Sequence, residues 1–374
     1  MLRSSGLHLA ECRLLPVPEE IAAALPMSLH QIGLVENSRR QIADILAGRD
    51  PRLLAVVGPC SIHDVNAGIE YGQRLAALAR ELDDRVVVVM RAYFEKPRTN
   101  VGWPGLILDP DLDGSGDVAR GLWLARRFLG AMLDLGLPTA TEFLDPVSPQ
   151  YIAELVCWAA IGARTSESQM HRQVASGLSM PLGFKNGTDG SVDGAINAIK
   201  TAAMAHTYLG ISGDGCVAAL RSLGNPNCHV VLRGGTNGPN YAAGHVESAE
   251  SKLVGAGLPA KIVVDCSHDN SRHRPKRQPE VLASVMHQIV EGSRSIVGVM
   301  IESNLFGGNQ TMSGRAGKLR YGVSITDGCL DWPNTEMILR NAHAALAPRF
   351  GLQSDWSSVR RTERVEEGVP AASA

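Results

Sequence analysis

The stretch VVVVMRAYFEKPRT, residues 86–99, begins as an unbroken apolar run and ends in a cluster of charged side chains around a proline. An apolar run of this length is typical of a parallel strand that is covered on both faces. The charged residues should therefore lie where the strand emerges, at its C-terminal end. Both the fold and the function depend on whether other strands of the chain end in the same way.

Short apolar runs of this kind recur along the chain and alternate with amphipathic stretches. We predict eight strands, at residues 53–59, 86–93, 139–144, 158–164, 181–187, 229–234, 261–268 and 296–303. Apolar residues at spacings of three and four predict a surface helix at 117–135. Weaker stripes predict helices at 67–82, 190–204, 245–256, 279–291 and 334–347. Eight strand–helix repeats are typical of a (β/α)8 TIM barrel, although an open doubly wound sheet would show the same alternation.

Three segments lie outside this regular alternation. Residues 1–50 form an N-terminal extension, and residues 351–374, rich in Ser, Glu, Arg and Ala, are expected to be a loosely ordered tail. The barrel itself is predicted to occupy residues 51–350. Within it, residues 207–222 have the pattern of a β-hairpin, inserted between strands five and six.

Composition excludes several classes of protein. The hydrophobic content of 44% and the net charge of −2 are typical of a globular protein without a general surface for polyanions. This balance argues against nucleic-acid binding, which only the short basic run HRPKR at 273–277 would suggest. The seven cysteines form no CxxC pair, and no apolar run is long enough for a membrane span. We therefore expect a cytoplasmic protein that does not bind membranes.

Every predicted strand ends in a reactive or charged side chain. In a barrel these side chains would converge on one cavity, because the active site of such a fold lies at the C-terminal ends of the strands. In an open sheet they would be spread along an edge. The strand-end residues, in chain order, are Cys60, Arg91, Glu142, Arg164, Lys185, Arg233, His268 and Glu302.

Barrel closure would make strands seven, eight and one neighbours. Cys60, His268 and Glu302 would then meet, with Asp327 available from the loop after strand eight. One sulfur, one nitrogen and two carboxylates suit one divalent ion of Mn, Fe, Co or Zn, whereas Mg and Ca prefer oxygen alone. This part of the mouth is a candidate metal site.

The rest of the predicted mouth is cationic. Several cations that face one cavity repel one another unless an anion fills it, so the ligand should carry more than one negative group. Charge-assisted hydrogen bonds to phosphate or carboxylate contribute about 1.5–3 kcal/mol each. The cations of this arc are Arg91, Lys96, Arg98, Arg164, Lys185 and Arg233.

The motifs that contain these residues resemble those of the 3-deoxy-D-arabino-heptulosonate 7-phosphate (DAHP) synthases of the type I alpha group. The resemblance extends over residues 50–345. Its motifs are GPCSIHD (58–64), MRAYFEKPRTNVGWPG (90–105), ATEFLDPVSPQY (140–151), AIGARTSESQMHR (160–172), GFKNGTDG (183–190), LRGGTNGPNY (232–241), VDCSHDNS (264–271), IESNLFGGNQ (301–310) and YGVSITDGC (321–329).

The resemblance implies a TIM-barrel transferase that condenses phosphoenolpyruvate with erythrose 4-phosphate, the first step of the shikimate pathway. By match to the family motifs, Cys60, His268, Glu302 and Asp327 would bind the metal. The residues matched to phosphoenolpyruvate binding are Arg91, Arg164, Lys185 and Arg233. Those matched to erythrose 4-phosphate binding are Lys96, Pro97, Arg98 and Thr99. Lys96, Arg91 and Lys185 are the expected catalytic residues.

The resemblance also implies regulation and assembly. Family members form homodimers and homotetramers, and an aromatic amino acid commonly inhibits them from a separate pocket. Gly210 stands where phenylalanine-type members have Ser, which favours tyrosine as the effector. The residues matched to this pocket are Pro149, Gln150, Leu178, Ser179, Tyr208 and Gly210.

Two other functions must be weighed against this one. The synthase of 3-deoxy-octulosonate 8-phosphate shares the barrel and the use of phosphoenolpyruvate, but its substrate loop is of the KANRS type, whereas this chain has KPRT at 96–99. A non-catalytic regulatory relative would be expected to lose a metal ligand or this loop, and here all of them are present.

Overall fold

The computed structural model describes residues 8–98, 102–312 and 319–350. Thr99 and the tail at 351–374, for which predictions were made above, lie outside the described residues. The strands are β1 (Leu53–Gly58), β2 (Val86–Arg91), β3 (Thr139–Glu142), β4 (Trp158–Ile161), β5 (Leu182–Lys185), β6 (Thr207–Ile211), β7 (Val217–Arg221), β8 (Cys228–Leu232), β9 (Ile262–Asp265) and β10 (Ile296–Glu302). The α-helices are α1 (Pro18–Ala24), α2 (Leu29–Ala47), α3 (Val65–Leu82), α4 (Val118–Asp134), α5 (Pro149–Ile152), α6 (Gln169–Gly177), α7 (Asp193–Ala202), α8 (Ala243–Gly255), α9 (Gln278–Val290) and α10 (Trp332–Ala345).

Eight of these strands close into a parallel barrel in the order β1-β10-β9-β8-β5-β4-β3-β2. The pairing of β1 with β10, in which Gly58 lies opposite Glu302, closes the ring between the first and last strands. This closure decides between the two folds that the strand–helix alternation left open. The (β/α)8 TIM barrel is confirmed, and all eight predicted strands belong to it.

Burial explains why the barrel strands are apolar throughout. Every residue of β1, β2 and β10 is buried, since side chains on one face fill the barrel and those on the other face pack under the helices. The predicted stripe on α4 begins with Val118, which is only partly buried, and its other members, Leu122, Ala125, Leu129 and Met132, are buried. Within the described residues, no helix is both long and apolar enough to cross a membrane.

The N-terminal extension folds onto the barrel as two helices that the sequence analysis did not predict. Ser28 caps α2 by accepting a hydrogen bond from the backbone N–H of Gln31. The Gln31 amide in turn donates to Asp134 at the end of α4, over 2.7 Å. Arg39 donates to the backbone carbonyls of Ala153 and Val156 just before β4. These polar contacts fix α2 across α4 and the start of β4.

The predicted hairpin forms between strands five and six of the barrel. Its strands β6 and β7 pair antiparallel, with Thr207 opposite Arg221. The N-terminal segment packs on its turn: the backbone N–H of Glu19 donates to the Gly213 carbonyl over 3.0 Å. A Cβ at Gly215 would lie 2.6 Å from the Val17 side chain, so this approach requires glycine.

Candidate active site

The strand ends converge on a cavity of about 460 Å³ at the C-terminal mouth of the barrel. This volume is in the range of small-molecule sites. Most of the predicted substrate-binding residues contribute directly to its wall. The residues that line it include Lys96, Pro97, Arg98, Glu142, Arg164, Lys185, Arg233, His268, Asp269 and Asp327.

A candidate metal site lies on one side of this mouth. The Cys60 sulfur and one carboxylate oxygen each of Glu302 and Asp327 lie within 4.8 Å of one another. The fourth predicted ligand, His268, lies beside them, with its Nε2 3.8 Å from Glu302 Oε1. The donor set of sulfur, nitrogen and oxygen and its spacing fit one divalent transition-metal ion or zinc.

The His268 ring is oriented by a second acid. Its Nδ1 lies 2.8 Å from Oδ2 of Asp265, the last residue of β9, which leaves Nε2 on the side of Glu302, another predicted ligand. Burial alone would raise the pKa of Asp265, but the charge of the His268 ring lowers this pKa below its usual range. His268 also has a positive φ of 52°. A carboxylate behind a metal-binding histidine and strained backbone at the ligand are both common in functional sites.

Electrostatics at Cys60 also fit a metal ligand. Burial and the neighbouring Glu302 carboxylate raise the pKa of the Cys60 thiol to about 12. Lys96 Nζ lies 3.1 Å from the sulfur and opposes this rise. A bound divalent cation would lower the pKa of the Cys60 thiol instead, because a thiol that coordinates a metal ion loses its proton. The site can therefore hold a thiolate only together with a cation.

Arg91, at the end of β2, is completely buried beside the candidate metal site and does not itself line the cavity. Its Nη2 donates to Glu302 Oε1 over 2.8 Å, and its Nε donates to the Pro59 carbonyl over 3.2 Å. Its Nη1 has no hydrogen-bond partner among the described residues. A buried guanidinium that is satisfied on one edge alone can still bind an anion with the other.

Two cations on the far side of the mouth, Lys185 and Arg233, are each paired with an acid. Lys185 Nζ donates to Glu142 Oε2 over 2.6 Å, with both side chains buried. Burial would raise the pKa of Glu142, but the Lys185 ammonium lowers it, so the pair is ionic. Arg233 forms an ion pair with Asp269. Arg164 lies on the same cavity wall.

The segment after β2 forms the third side of the cavity. The backbone N–H of Lys96 donates to the Pro104 carbonyl, and Arg98 Nε donates to the Trp103 carbonyl over 2.9 Å. These contacts hold residues 96–98 against the loop at residues 102–105. Thr99, the fourth predicted residue of this segment, lies outside the described residues.

A second cavity, of about 380 Å³, lies beside the hairpin. We call it the hairpin pocket; its lining residues are Gln150, Ser176, Gly177, Leu178, Tyr208, Leu220, Arg221, Ser222, Leu223 and Gly224. Of the predicted effector residues, Gln150, Leu178 and Tyr208 line it directly. Gly210 lies on the same strand face as Tyr208, and a Cβ there would meet Leu220 Cδ1 at 2.6 Å.

Three predicted effector residues, Gly210, Pro149 and Ser179, do not line the hairpin pocket. Pro149 is buried at the first position of α5, and Ser179 is exposed after the end of α6. Pro149 directly precedes Gln150, and Ser179 directly follows Leu178, so each neighbours a lining residue along the chain.

The sequence analysis missed the acids that balance the cationic arc and orient His268. Glu142 was noted only as a strand end, and Asp265 and Asp269 were given no role. A signal was present, because both aspartates flank His268 within three residues in the segment VDCSHD. Acidic residues close to a metal-binding histidine are often its hydrogen-bond partners.

Comparison with known proteins gives one consistent result. The family model "DAHP synthetase I family" matches residues 25–340. The chain is 53% identical over 342 residues to the Tyr-sensitive phospho-2-dehydro-3-deoxyheptonate aldolase of Escherichia coli K12, covering 91% of this chain and 96% of that relative. It is 48% identical over 350 residues to the Phe-sensitive enzyme of the same strain, covering 93% of this chain and 99% of that relative.

Solved structures agree with these relatives. The structure of the phospho-2-dehydro-3-deoxyheptonate aldolase of Francisella tularensis SCHU S4 superposes with a TM-score of 0.89 at 45% sequence identity, covering 91% of this chain and 98% of that one. Because the family model covers most of the chain and the curated relatives align over nearly their whole length, the chain belongs to the DAHP synthetase I family.

Proposed function

We infer that this chain is a DAHP synthase and that the barrel mouth is its active site. The enzyme condenses phosphoenolpyruvate with erythrose 4-phosphate to give DAHP and phosphate, the first step of the shikimate pathway. The observation that carries the assignment of the site is that a sulfur–nitrogen–oxygen ligand set lies beside a cavity lined by cations, with His268 and Asp327 on the wall of that cavity. Two phosphorylated substrates, one of which also carries a carboxylate, match the charge of this arc.

Arg91, Arg164, Lys185 and Arg233 are proposed to bind phosphoenolpyruvate. The buried and unpartnered Nη1 of Arg91 supports this role, since an anion would supply the missing acceptor. Arg164 and Arg233 lie on the same wall and can contact a phosphate. The acids paired with Lys185 and Arg233 hold these cations in place before the substrate arrives, which lowers the cost of organising the site.

Residues 96–99 (Lys96, Pro97, Arg98 and Thr99) are proposed to bind erythrose 4-phosphate. Lys96 lies between this segment and the metal site, with its Nζ close to both the sulfur and the carbonyl oxygen of Cys60. Burial alone would lower the pKa of Lys96, but the Cys60 and Glu302 side chains raise it, so the side chain stays an ammonium. Its position next to both substrates allows it to stabilise the alkoxide that forms from the aldehyde.

Cys60, His268, Glu302 and Asp327 are proposed to hold one divalent ion of Mn, Fe, Co or Zn. Such an ion, when bound, acts as a Lewis acid that polarises the aldehyde of erythrose 4-phosphate. Carbon three of phosphoenolpyruvate then attacks the aldehyde carbon, water adds at carbon two, and the carbon–oxygen bond to phosphate breaks. The cations bind both reactants in line and stabilise the charge that develops on them.

Substrate choice tests this assignment against the octulosonate 8-phosphate synthase and the non-catalytic alternative. A coupled assay with phosphoenolpyruvate should release phosphate with erythrose 4-phosphate but not with arabinose 5-phosphate. Treatment with a chelator should abolish the activity, and added Mn²⁺ should restore it. Activity that survives exhaustive chelation would contradict the metal assignment, and an absence of turnover with either sugar would favour the non-catalytic relative.

The hairpin pocket is proposed to bind an inhibitory aromatic amino acid, with tyrosine favoured. Tyr208, Leu178 and Leu220 give it apolar surface, and Arg221 gives it a cation for a carboxylate. The Tyr-, Phe- and Trp-sensitive relatives support an effector of this class. Gly210 beside the pocket is the feature that favours tyrosine.

We also propose that the chain forms a homodimer or homotetramer in the cytoplasm. Large apolar side chains are exposed on both the N-terminal extension and the hairpin, where Leu14, Leu29 and Leu209 are each at least 80% exposed. Exposed apolar surface of this kind is typical of interfaces. Residues 1–50 and the hairpin would then have a regulatory or assembly role, and light scattering at several concentrations would measure the subunit number.

A further inference from the structure

Tyr93 lies under the cationic arc and has been given no role above. It follows Arg91 by two residues, is 1% exposed, and its carbonyl accepts a hydrogen bond from the Ile62 backbone N–H. The Arg91 guanidinium carbon stands 3.7 Å from the centre of the Tyr93 ring. Lys185 Nζ lies 5.6 Å from the same centre. One aromatic ring thus contacts two cations from two different strands of the barrel.

The Tyr93 ring contacts the face of the Arg91 guanidinium, whereas the hydrogen bonds of Arg91 use the edge of that group. Glu302 and the Pro59 carbonyl accept from Nη2 and Nε, which are on the edge of the guanidinium plane. The face of the Tyr93 ring attracts the Arg91 cation and restricts rotation of the guanidinium plane. The contact is fully buried, and cation–π attraction is strongest where water is excluded. An attraction of this strength changes an equilibrium constant for binding by roughly tenfold to thirtyfold. The free Nη1 is then held in one direction.

The hydroxyl of Tyr93 can be considered separately from its ring. It has no hydrogen-bond partner among the described residues. Burial raises the pKa of Tyr93 and the Arg91 charge opposes this rise, so the phenol stays neutral. Its removal therefore breaks no hydrogen bond to a described protein group, and the ring can be varied without the hydroxyl.

We propose that Tyr93 is a positioning residue of the phosphoenolpyruvate site, whose ring face aligns the Arg91 guanidinium and the Lys185 ammonium for the anionic substrate. This inference rests on the proposed roles of Arg91 and Lys185. It explains why an aromatic side chain, rather than an aliphatic one, follows the end of β2 beneath two buried cations.

The first test removes the ring. Tyr93→Leu should raise the KM for phosphoenolpyruvate about tenfold or more, while the KM for erythrose 4-phosphate and the bound metal per subunit change less than threefold. The matched control is Tyr71→Leu, which removes an equally buried tyrosine ring from α3, where the ring packs edge to face against Trp332. It should lower the melting temperature but leave the KM for phosphoenolpyruvate within threefold of the wild type. A similar KM for phosphoenolpyruvate in both variants would overturn the proposal.

The second test keeps the shape of the ring and serves if Tyr93→Leu does not fold. Position 93 is replaced by phenylalanine and then by phenylalanines with one, two and three ring fluorines, which progressively weaken the negative ring face. The logarithm of the KM for phosphoenolpyruvate should rise stepwise with fluorine number, whereas a purely structural role predicts no trend. A flat series would overturn the proposal.

Arg91→Ala separates this inference from the proposed site itself. If Arg91→Ala leaves the binding of phosphoenolpyruvate unchanged, the substrate assignment of Arg91 is wrong and the role of Tyr93 fails with it. If Arg91→Ala weakens binding but the fluorinated series is flat, only the inference about Tyr93 fails.

Discussion

The barrel mouth and the hairpin pocket differ in how the fold positions their side chains. At the mouth, Arg91 and Glu302 are the last residues of strands in a closed ring, and their side chains are 0% exposed and paired with each other. The hairpin pocket lies beside a two-stranded ribbon with residues such as Leu209, 80% exposed, on its outer face. The rest of its lining comes from α5 and from the end of α6.

The positions of the side chains at the mouth are therefore determined by the barrel, whereas those at the hairpin pocket are determined by the segments around the hairpin. A strand end in a closed barrel has two hydrogen-bonded neighbours, so its side chain has little freedom. A two-stranded hairpin is only marginally stable by itself and is shaped by whatever packs on it. Changes at the mouth should therefore cause large, local losses of activity, whereas changes around the hairpin pocket should alter regulation by smaller amounts.

The largest expected effect is the loss of a metal ligand at the mouth. Cys60→Ala should lose bound metal and reduce kcat by at least about a hundredfold, because the remaining ligands hold the ion and the aldehyde poorly. Metal content by elemental analysis and steady-state turnover measure the two effects.

Cys157→Ala is the matched control for this change. Cys157 is equally buried but lies just before β4, at the opposite end of the barrel strands from the mouth. The Cys157→Ala variant should keep its metal and its kcat, and its free energy of unfolding should fall by only about 1 kcal/mol because the side chain is smaller. Equal effects of the two substitutions would contradict the assignment of Cys60 as a ligand.

The difference between the two regions also explains how much could be predicted from the sequence. Most strands could be predicted because they are short apolar runs, as at Leu53–Gly58 and Val86–Arg91, and the mouth followed because closure gathers the strand ends. The pairing of Gly58 with Glu302 could not be predicted locally, since it joins the two ends of the barrel. Helix α2 was missed because its apolar stripe is weak and polar side chains such as Gln31 and Arg39 make many of its contacts.

The hairpin pocket was less predictable for the same physical reason. The hairpin itself has a sequence signal, with glycines at its turn. The contacts that shape the pocket, such as the hydrogen bond between the hydroxyls of Ser176 and Ser222, join segments 46 residues apart. Pro149 and Ser179 were placed in the pocket by their motif, yet only their neighbours line it.

The second prediction concerns an anion contact at the mouth. Arg164→Ala should lower kcat/KM for phosphoenolpyruvate by about 2–4 kcal/mol in transition-state terms, or roughly thirtyfold to a thousandfold, because a charged two-pronged contact is lost. Arg120→Ala, which removes an exposed arginine on α4, is the control and should leave kcat/KM unchanged. An unaltered kinetic profile for Arg164→Ala would remove Arg164 from the site.

The third prediction concerns Glu95, which lies between the two regions. Its carboxylate accepts hydrogen bonds from the Ser148 hydroxyl and from the backbone N–H of Asp145, just before α5. Burial, with a contribution from the nearby Asp145 charge, raises the pKa of Glu95 to about 7, and these hydrogen bonds limit the rise. The folded protein therefore holds a proton that the unfolded chain releases near pH 4.5.

The sign of the pH dependence follows from this difference. The stability that the neutral Glu95 contributes is fully present below pH 4.5 and is lost as the pH rises to about 7, by up to about 3 kcal/mol. Glu95→Gln cannot ionise, so between pH 5 and 8 its free energy of unfolding should fall less than that of the wild type. Chemical denaturation at several pH values measures this, and parallel curves for the two proteins would show that Glu95 ionises normally.

The smallest expected effect is at the hairpin pocket itself. Gly210→Ser adds a side chain that meets Leu220 Cδ1, the flexible end of a residue that lines the pocket, so the pocket can adjust while its shape and polarity change. We expect tyrosine inhibition to weaken by about tenfold, or 1.4 kcal/mol, and phenylalanine inhibition to strengthen, with uninhibited kcat changed less than twofold. Ala219→Ser adds the same hydroxyl to the opposite, exposed face of the hairpin and should change none of these values. Titration of each protein with tyrosine and phenylalanine separately makes the comparison. If the wild type ignores tyrosine, or if both serine variants behave alike, Gly210 does not select the effector, and selection must depend on the segments that pack around the hairpin.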